Sequence, residues 1–242
     1  MARGIDLIVT LVEHRMPGVT SRGVLLDLDG TLVDHEAAAE SGLRAWLPTI
    51  GQPVTPETLA RWHDLEEIHL AAWRAGTISF LEQRRRRLRD FLGTAAADEE
   101  VDATYAGYLT QYEAAWRAYD DVVPALQALQ AAGIPTAVLT NGATVQQHKK
   151  LARTGLAALV GPVFTVEDLG VAKPLPEAFL GVCQRWGLAP ADVLSVGDNY
   201  EFDVVAARAA GLNAVHLDRL GTGPVDEPHR IVTLGELPRL LS

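Results

Sequence analysis

The chain has 242 residues, 48% of them hydrophobic and 21% charged, a composition of soluble globular proteins with ample material for a core. Its 21 Lys and Arg against 31 Asp and Glu give a formal net charge of −10, which argues against a nucleic-acid partner. A single cysteine, Cys183, excludes an intramolecular disulfide, and no stretch approaches the length of a membrane span, so a cytoplasmic protein without a membrane partner is expected.

Residues 1–20 contain IDLIVTLV, a short run broken by an Asp and followed by Glu-His-Arg. That is a poor signal-peptide core, and the segment reads as an N-terminal extension with no order assigned to it. At Gly23 the sequence GVLLDLDGTLVD begins, a run too apolar for a strand exposed on one face. It ends in two carboxylates two residues apart, Asp27 and Asp29, and a Gly-Thr breaker. Residues 36–118 hold no convincing strand and predict a helical bundle. HEAAAESGLRAWL is one helix, and a second opens at Thr55 as cap with Pro56 at its first position. TISFLEQRRRRLRDFL and DATYAGYLTQYEAAWRAY are the third and fourth.

After Asp120 helices and strands alternate, with strands predicted at IPTAVLT, PVFTV, DVLSVG, NAVHL and IVTL. Alternation at this spacing implies α/β architecture, a parallel sheet covered on both faces. The first strand is therefore separated from its sheet-mates by the helical segment. The chain divides into a core of residues 21–35 and 119–242 and an inserted all-helical unit of residues 36–118.

Four polar clusters fall at or near strand ends, where ligands gather in open α/β sheets. They are DLDGT after the first strand, TNG at Thr140–Gly142, Lys173-Pro174 before a helix, and GDNYEFD at Gly197–Asp203. Any one has an ordinary structural explanation: a turn and helix cap for TNG, a surface lysine for Lys173, an N-cap for Asp203. Cys183 reads as a packed core thiol. Four together, in this order, are not explained that way.

In that order the motifs resemble those of haloacid dehalogenase-like superfamily hydrolases. The resemblance runs from Gly23 to about Asp218 and is to the branch with a helical cap after the first motif, like phosphoglycolate phosphatases or nucleotidases. It implies a Rossmann-like core, a mobile cap and a magnesium-dependent phosphatase acting on a small phosphorylated metabolite. It makes Asp27 the nucleophile that becomes an aspartyl-phosphate, and Asp29 the acid that protonates the leaving alcohol and later activates water. One carboxylate must then be charged and the other protonated, and close like charges split their proton affinities. Magnesium would take Asp27, Asp198 and the backbone carbonyl of Asp29, with Asp203 in support and Glu201 a further outer candidate. Lys173 would shield the nucleophile, and Thr140 and the amide of Asn141 would hold phosphoryl oxygens.

A sugar-phosphate mutase of the same fold is the alternative. A 2-haloacid dehalogenase fits less well, since it needs neither metal nor second carboxylate, and so does a catalytically idle binding or regulatory protein. Oligomeric state is not legible.

Arg84–Arg87 read first as a solvated helix face. Helical geometry nevertheless places Arg84 within the apolar stripe of Leu81, Leu88, Phe91 and Leu92, and Arg85 at its edge. Arg86 points away, with Arg87 and Arg89 on the flanks. Two guanidinium groups on that stripe need partners: Glu66 or Glu67, or an anionic part of the substrate. Arg84 and Arg85 are therefore candidate selectivity residues.

Overall fold

The computed structural model describes residues 21–241; the expectation for residues 1–20 lies outside the described residues. β1 (Gly23–Leu26) is buried along its length. Val24 and Leu26 face one hydrophobic layer and Leu25 the other, as the two-residue period of a strand requires. Four helices follow: α1 (His35–Trp46), α2 (Pro56–Arg74), α3 (Phe80–Leu92) and α4 (Asp98–Ala114).

Their ends are chemically marked. The Asp34 carboxylate accepts from Ala37 N at 3.1 Å, and Thr55 Oγ1 accepts from Thr58 N at 3.2 Å ahead of Pro56. Ser79 caps α3, which therefore starts three residues later than expected. α4 lies about four residues earlier than its sequence suggests. It has no side-chain cap, and Asp98, Glu99 and Glu100 in its first turn suit the positive end of the helix dipole. The helices close over their own aromatic cluster. Trp62 meets Tyr108 at 4.8 Å, Phe91 at 5.0 Å and Trp46 at 5.2 Å between ring centroids.

The rest of the chain is α5 (Val122–Ala131), β2 (Thr136–Thr140), α6 (Thr144–Arg153), β3 (Val163–Thr165), α7 (Val166–Leu169), α8 (Pro176–Trp186) and β4 (Val193–Gly197). A π-helical turn (Tyr200–Val205) leads into α9 (Ala206–Ala209), then β5 (Asn213–Leu217), β6 (Arg230–Ile231) and α10 (Leu237–Leu240). The last strand is shorter than IVTL promised, because Thr233 turns away to form a capping box with Glu236.

All strand pairs are parallel, in the order β3-β2-β1-β4-β5-β6. From β1 the chain builds outward through β2 and β3, then crosses to the other side for β4, β5 and β6. The reversal opens a crevice at the carboxyl ends of β1, β2 and β4. The four-helix segment leaves and re-enters the sheet domain beside that crevice. Asp34 N donates to Arg117 O at 3.0 Å, Tyr119 N donates to Leu32 O at 3.2 Å, and Val33 pairs antiparallel with Ala118.

Candidate active site

β1 ends one residue before Asp27, β2 ends at Thr140, and β4 ends one residue before Asp198. The three strand ends therefore aim Asp27, Thr140 and Asp198 into one space. Asp203 arrives from the π-helical turn after β4, a helix form that recurs at functional sites. It is not the N-cap its sequence position suggested: Asn199 caps that turn, accepting from Phe202 N at 3.1 Å. Asp203 instead points inward, buried, with Asn199 N donating to it at 3.1 Å.

Lys173 lies between two of these acids. Its Nζ donates to Asp27 at 2.6 Å and to Asp203 at 2.5 Å. The lysine is itself held by Asn141, whose side chain accepts from Lys173 N and donates to Lys173 O, both at 2.8 Å. The Asn141 carboxamide thus serves as a clamp between two loops, leaving its backbone N–H as its group for a ligand. Thr140 Oγ1 accepts from Gly142 N at 3.2 Å and Gln147 Nε2 at 2.8 Å, which leaves its hydroxyl proton to donate.

Space is kept open by glycine. Gly30 has φ +87°, and a Cβ there would lie 2.3 Å from an Asp198 carboxylate oxygen. A Cβ at Gly197 would lie 2.2 Å from Asp203. Asp198 is fixed through Thr31, whose Oγ1 donates to its carboxylate at 3.0 Å and accepts from its N–H at 3.1 Å.

Electrostatics separate the carboxylates. Burial pushes Asp27 well above its ordinary value, against the pull of Lys173, and the charges of Asp203 and Asp198 push the same way. Loss of hydration and the Asp203 charge raise Asp198 to about 6. Lys173 is desolvated too, but its two acids more than offset this and hold it above an ordinary lysine. Burial also opposes ionisation of Asp29. There the Lys150 ammonium and His35, with hydrogen bonds from Lys150 and Gln147, outweigh it and bring the value down to about 2. These surroundings favour a proton on Asp27 and the ionised form of Asp29.

Lys150 and Gln147 were not singled out by the sequence. Both are fully buried on α6; Lys150 pairs with one Asp29 oxygen, and Gln147 Nε2 donates to the other at 2.7 Å. Their signal was present as Gln147, Lys150 and Leu151 at helical spacing, two polar residues on the face that Leu151 buries.

The cavity has a volume of about 380 Å³ and lies between the strand ends and the inner wall of α1–α4. Asp27, Asp29, Thr140, Asn141, Lys173, Asp198, Asp203 and Arg84 line it; Arg85 and Glu201 do not. Arg85 is bound on the far side by Asp98 and Asp102 of α4, with Asp102 at 2.6 Å. Its candidacy as a selectivity residue is therefore corrected. Glu201 is exposed. The apolar stripe of α3 also differs from expectation: Leu81 is exposed, and Arg87 is 2% exposed with Glu66 at 2.7 Å and its guanidinium 4.1 Å from the Trp62 ring centre. The long Arg87 stem lets a flank position reach the interior. Arg86 points outward to Glu82 at 2.7 Å.

Asp27, Asp198 and Asp203 bring ligand oxygens within 4.8 Å of one another. Three carboxylates facing one lysine leave uncompensated negative charge, and an all-oxygen donor set suits a hard divalent cation.

A model of the haloacid dehalogenase-like hydrolase family matches residues 22–211. The phosphoserine phosphatase of Thermus thermophilus is 32% identical, over 92% of this chain and 90% of that protein. The phosphoglycolate phosphatase of Shigella boydii is 31% identical, over 81% of each. Among solved structures, the HAD-hydrolase YfnB from Bacillus subtilis bound to magnesium superposes with a TM-score of 0.75 at 24% identity, covering 91% of this chain and 98% of that one. Among the described residues, no helix is long and apolar enough to cross a membrane.

Proposed function

This chain belongs to the haloacid dehalogenase-like hydrolase family, and on that premise we propose that it is a magnesium-dependent phosphatase working through Asp27. The reading rests on one observation above all. Six side chains from four separate loops or strand ends, Asp27, Asp29, Thr140, Lys173, Asp198 and Asp203, converge on a single cavity. Relatives named as phosphatases of small phosphorylated metabolites support the substrate class.

Thr140 Oγ1 and the Asn141 N–H hold phosphoryl oxygens at the end of β2, opposite the Asp27 carboxylate. Asp27 attacks phosphorus in line; the P–O bond to the alcohol breaks as the new O–P bond forms, giving an aspartyl-phosphate. Lys173, beside the attacking carboxylate, stabilises the charge that develops on the phosphoryl group. The alcohol leaves with a proton from Asp29. The surroundings of that residue favour the ionised form, but a phosphate dianion arriving beside it raises its proton affinity, since like charges disfavour each other, and Asp29 takes up the proton it then donates from solvent. Water then attacks phosphorus, its proton passing to Asp29, and phosphate departs with the Asp27 carboxylate restored. When bound by Asp27 and Asp198, with Asp203 in support, magnesium would neutralise the acidic cluster and favour Asp27 as the carboxylate.

Helices α1–α4 are read as a cap, residues 36–118, which closes the cavity from water. The test is turnover of an aryl phosphate with magnesium, abolished by EDTA and restored by magnesium. Full activity after metal removal would overturn the metal assignment.

A further inference from the structure

Three arginines line the cavity. Arg87 is paired with Glu66 at 2.7 Å and Arg74 with Glu67 at 3.4 Å. Arg84 has no carboxylate partner among the described residues. Its Nη2 donates to Gln146 Oε1 at 2.6 Å, and its guanidinium lies 4.4 Å from the centre of the Phe80 ring and 5.6 Å from that of Tyr105. Burial works against the charge of both Arg84 and Arg87. At Arg87 the Glu66 carboxylate more than offsets that cost and the pKa rises, whereas at Arg84 burial and the Arg87 charge outweigh the more distant Glu113 and the tyrosines, and the pKa falls.

Position adds to charge. Gln146, which Arg84 touches, is the chain neighbour of Gln147, and Gln147 contacts both Asp29 and Thr140 at the phosphoryl end. Arg84 lines the same cavity as Asp27, Asp29 and Thr140. Gln146 occupies one of its five N–H donors, leaving others for an oxyanion, and the guanidinium lies over the Phe80 ring.

Resting on the phosphatase reading above, we propose that Arg84 binds a second oxyanion of the substrate. The substrate class is then a short phosphomonoester whose other end carries a carboxylate or a second phosphate. The Gln146 carboxamide is the neutral acceptor standing in that place in this structure. The competing role for Arg84 is a latch tying α3 to α6, alongside the Lys149–Glu113 pair at 2.5 Å. A latch would act on every ester alike.

Steady-state kinetics with magnesium separate the two. 2-Phosphoglycolate and 3-phosphoglycerate probe the carboxylate, and propane-1,3-diyl bisphosphate probes the second phosphate. Ethyl phosphate and p-nitrophenyl phosphate carry no second anion. The proposal expects the best doubly anionic ester to exceed ethyl phosphate in kcat/KM by tenfold or more. That ratio should fall at least tenfold in Arg84→Met, mainly through KM, and fall less in Arg84→Lys. Arg85→Met, outside the cavity, should leave the ratio as in wild type. Circular dichroism checks that both Arg84 variants are folded, and should Arg84→Met not fold, the ratio in Arg84→Lys decides. An aryl phosphate turned over with no preference for any doubly anionic ester, or a ratio untouched by either Arg84 variant, overturns this inference and leaves the phosphatase reading standing. No turnover of any phosphomonoester overturns both.

Discussion

Asp27 and Asp29 share a loop, yet they sit in different electrostatic company. Asp27 faces two more carboxylates and one lysine, while Asp29 faces away from them to Lys150 and Gln147. Asp27→Asn keeps the shape but cannot attack, so turnover should fall on the order of 10⁴-fold or more, with the thermal melt little changed. Asp29 needs to gain and lose a proton, and Lys150 sets how hard that is. Lys150→Met should leave Asp29 misplaced and cut kcat for an alkyl phosphate by about tenfold or more. The loss should be smaller for p-nitrophenyl phosphate, whose leaving group needs no proton. Equal losses on both esters would assign Lys150 to stability alone. Residues of this kind divide what was readable beforehand. Asp27, Thr140 and Asp198 stand at strand ends, where an apolar run stops at a polar cluster, and Lys173 in the short loop ahead of α8. Lys150 and Gln147 lie inside a helix, where a polar residue reads as solvent-facing until the opposite wall is known.

At the scale of elements, α3 shows why helical periodicity alone did not assign its arginines. Successive residues differ by about 100° around the axis, but an arginine side chain is long enough to cancel much of that difference. The deciding factor was the partner helix: α4 starts at Asp98, so Asp98 and Asp102 come into line to capture Arg85. Arg87 reaches Glu66 of α2 instead. Removing one member of so buried a pair leaves the other charge unmatched. Arg87→Met should therefore cost about 3 kcal/mol at pH 7, lowering Tm by roughly 6–12 °C for a chain of this size. The pair also has a pH signature. Burial opposes ionisation of Glu66, but Arg87 outweighs it and holds Glu66 well below its ordinary value of 4.5. The stabilisation is thus complete above that value and is lost as pH falls through the depressed one. Urea unfolding should show the wild-type advantage over Arg87→Met holding from pH 7 down to about pH 4.5 and shrinking as pH falls further. A constant difference would mean that the loss is one of packing.

For the whole molecule, the parallel sheet and the place of the site followed from alternating helix and strand with polar loops between, whereas the order of the strands came only with the fold. The contacts across the cavity did not follow either, because residues such as Arg84 and Gln146, 62 apart in sequence, meet only once both walls exist. If α1–α4 move as a cap, the crossing at Val33 and Ala118 is the hinge. Beryllium fluoride with magnesium should then slow proteolysis near residues 34 and 118–121, and unchanged cleavage with binding confirmed would count against the motion. That crossing has a further consequence. A segment whose two ends leave side by side makes no demand on the frame that carries it, so everything between Asp34 and Arg117 is spliceable. It can be lengthened, trimmed or exchanged for another closed unit while the strand order and the phosphoryl-transfer carboxylates stay where they are. On the proposed reading of that segment as a cap, chemistry and selectivity would be inherited separately: the first with the strand ends, and the second with whatever is held between Val33 and Ala118.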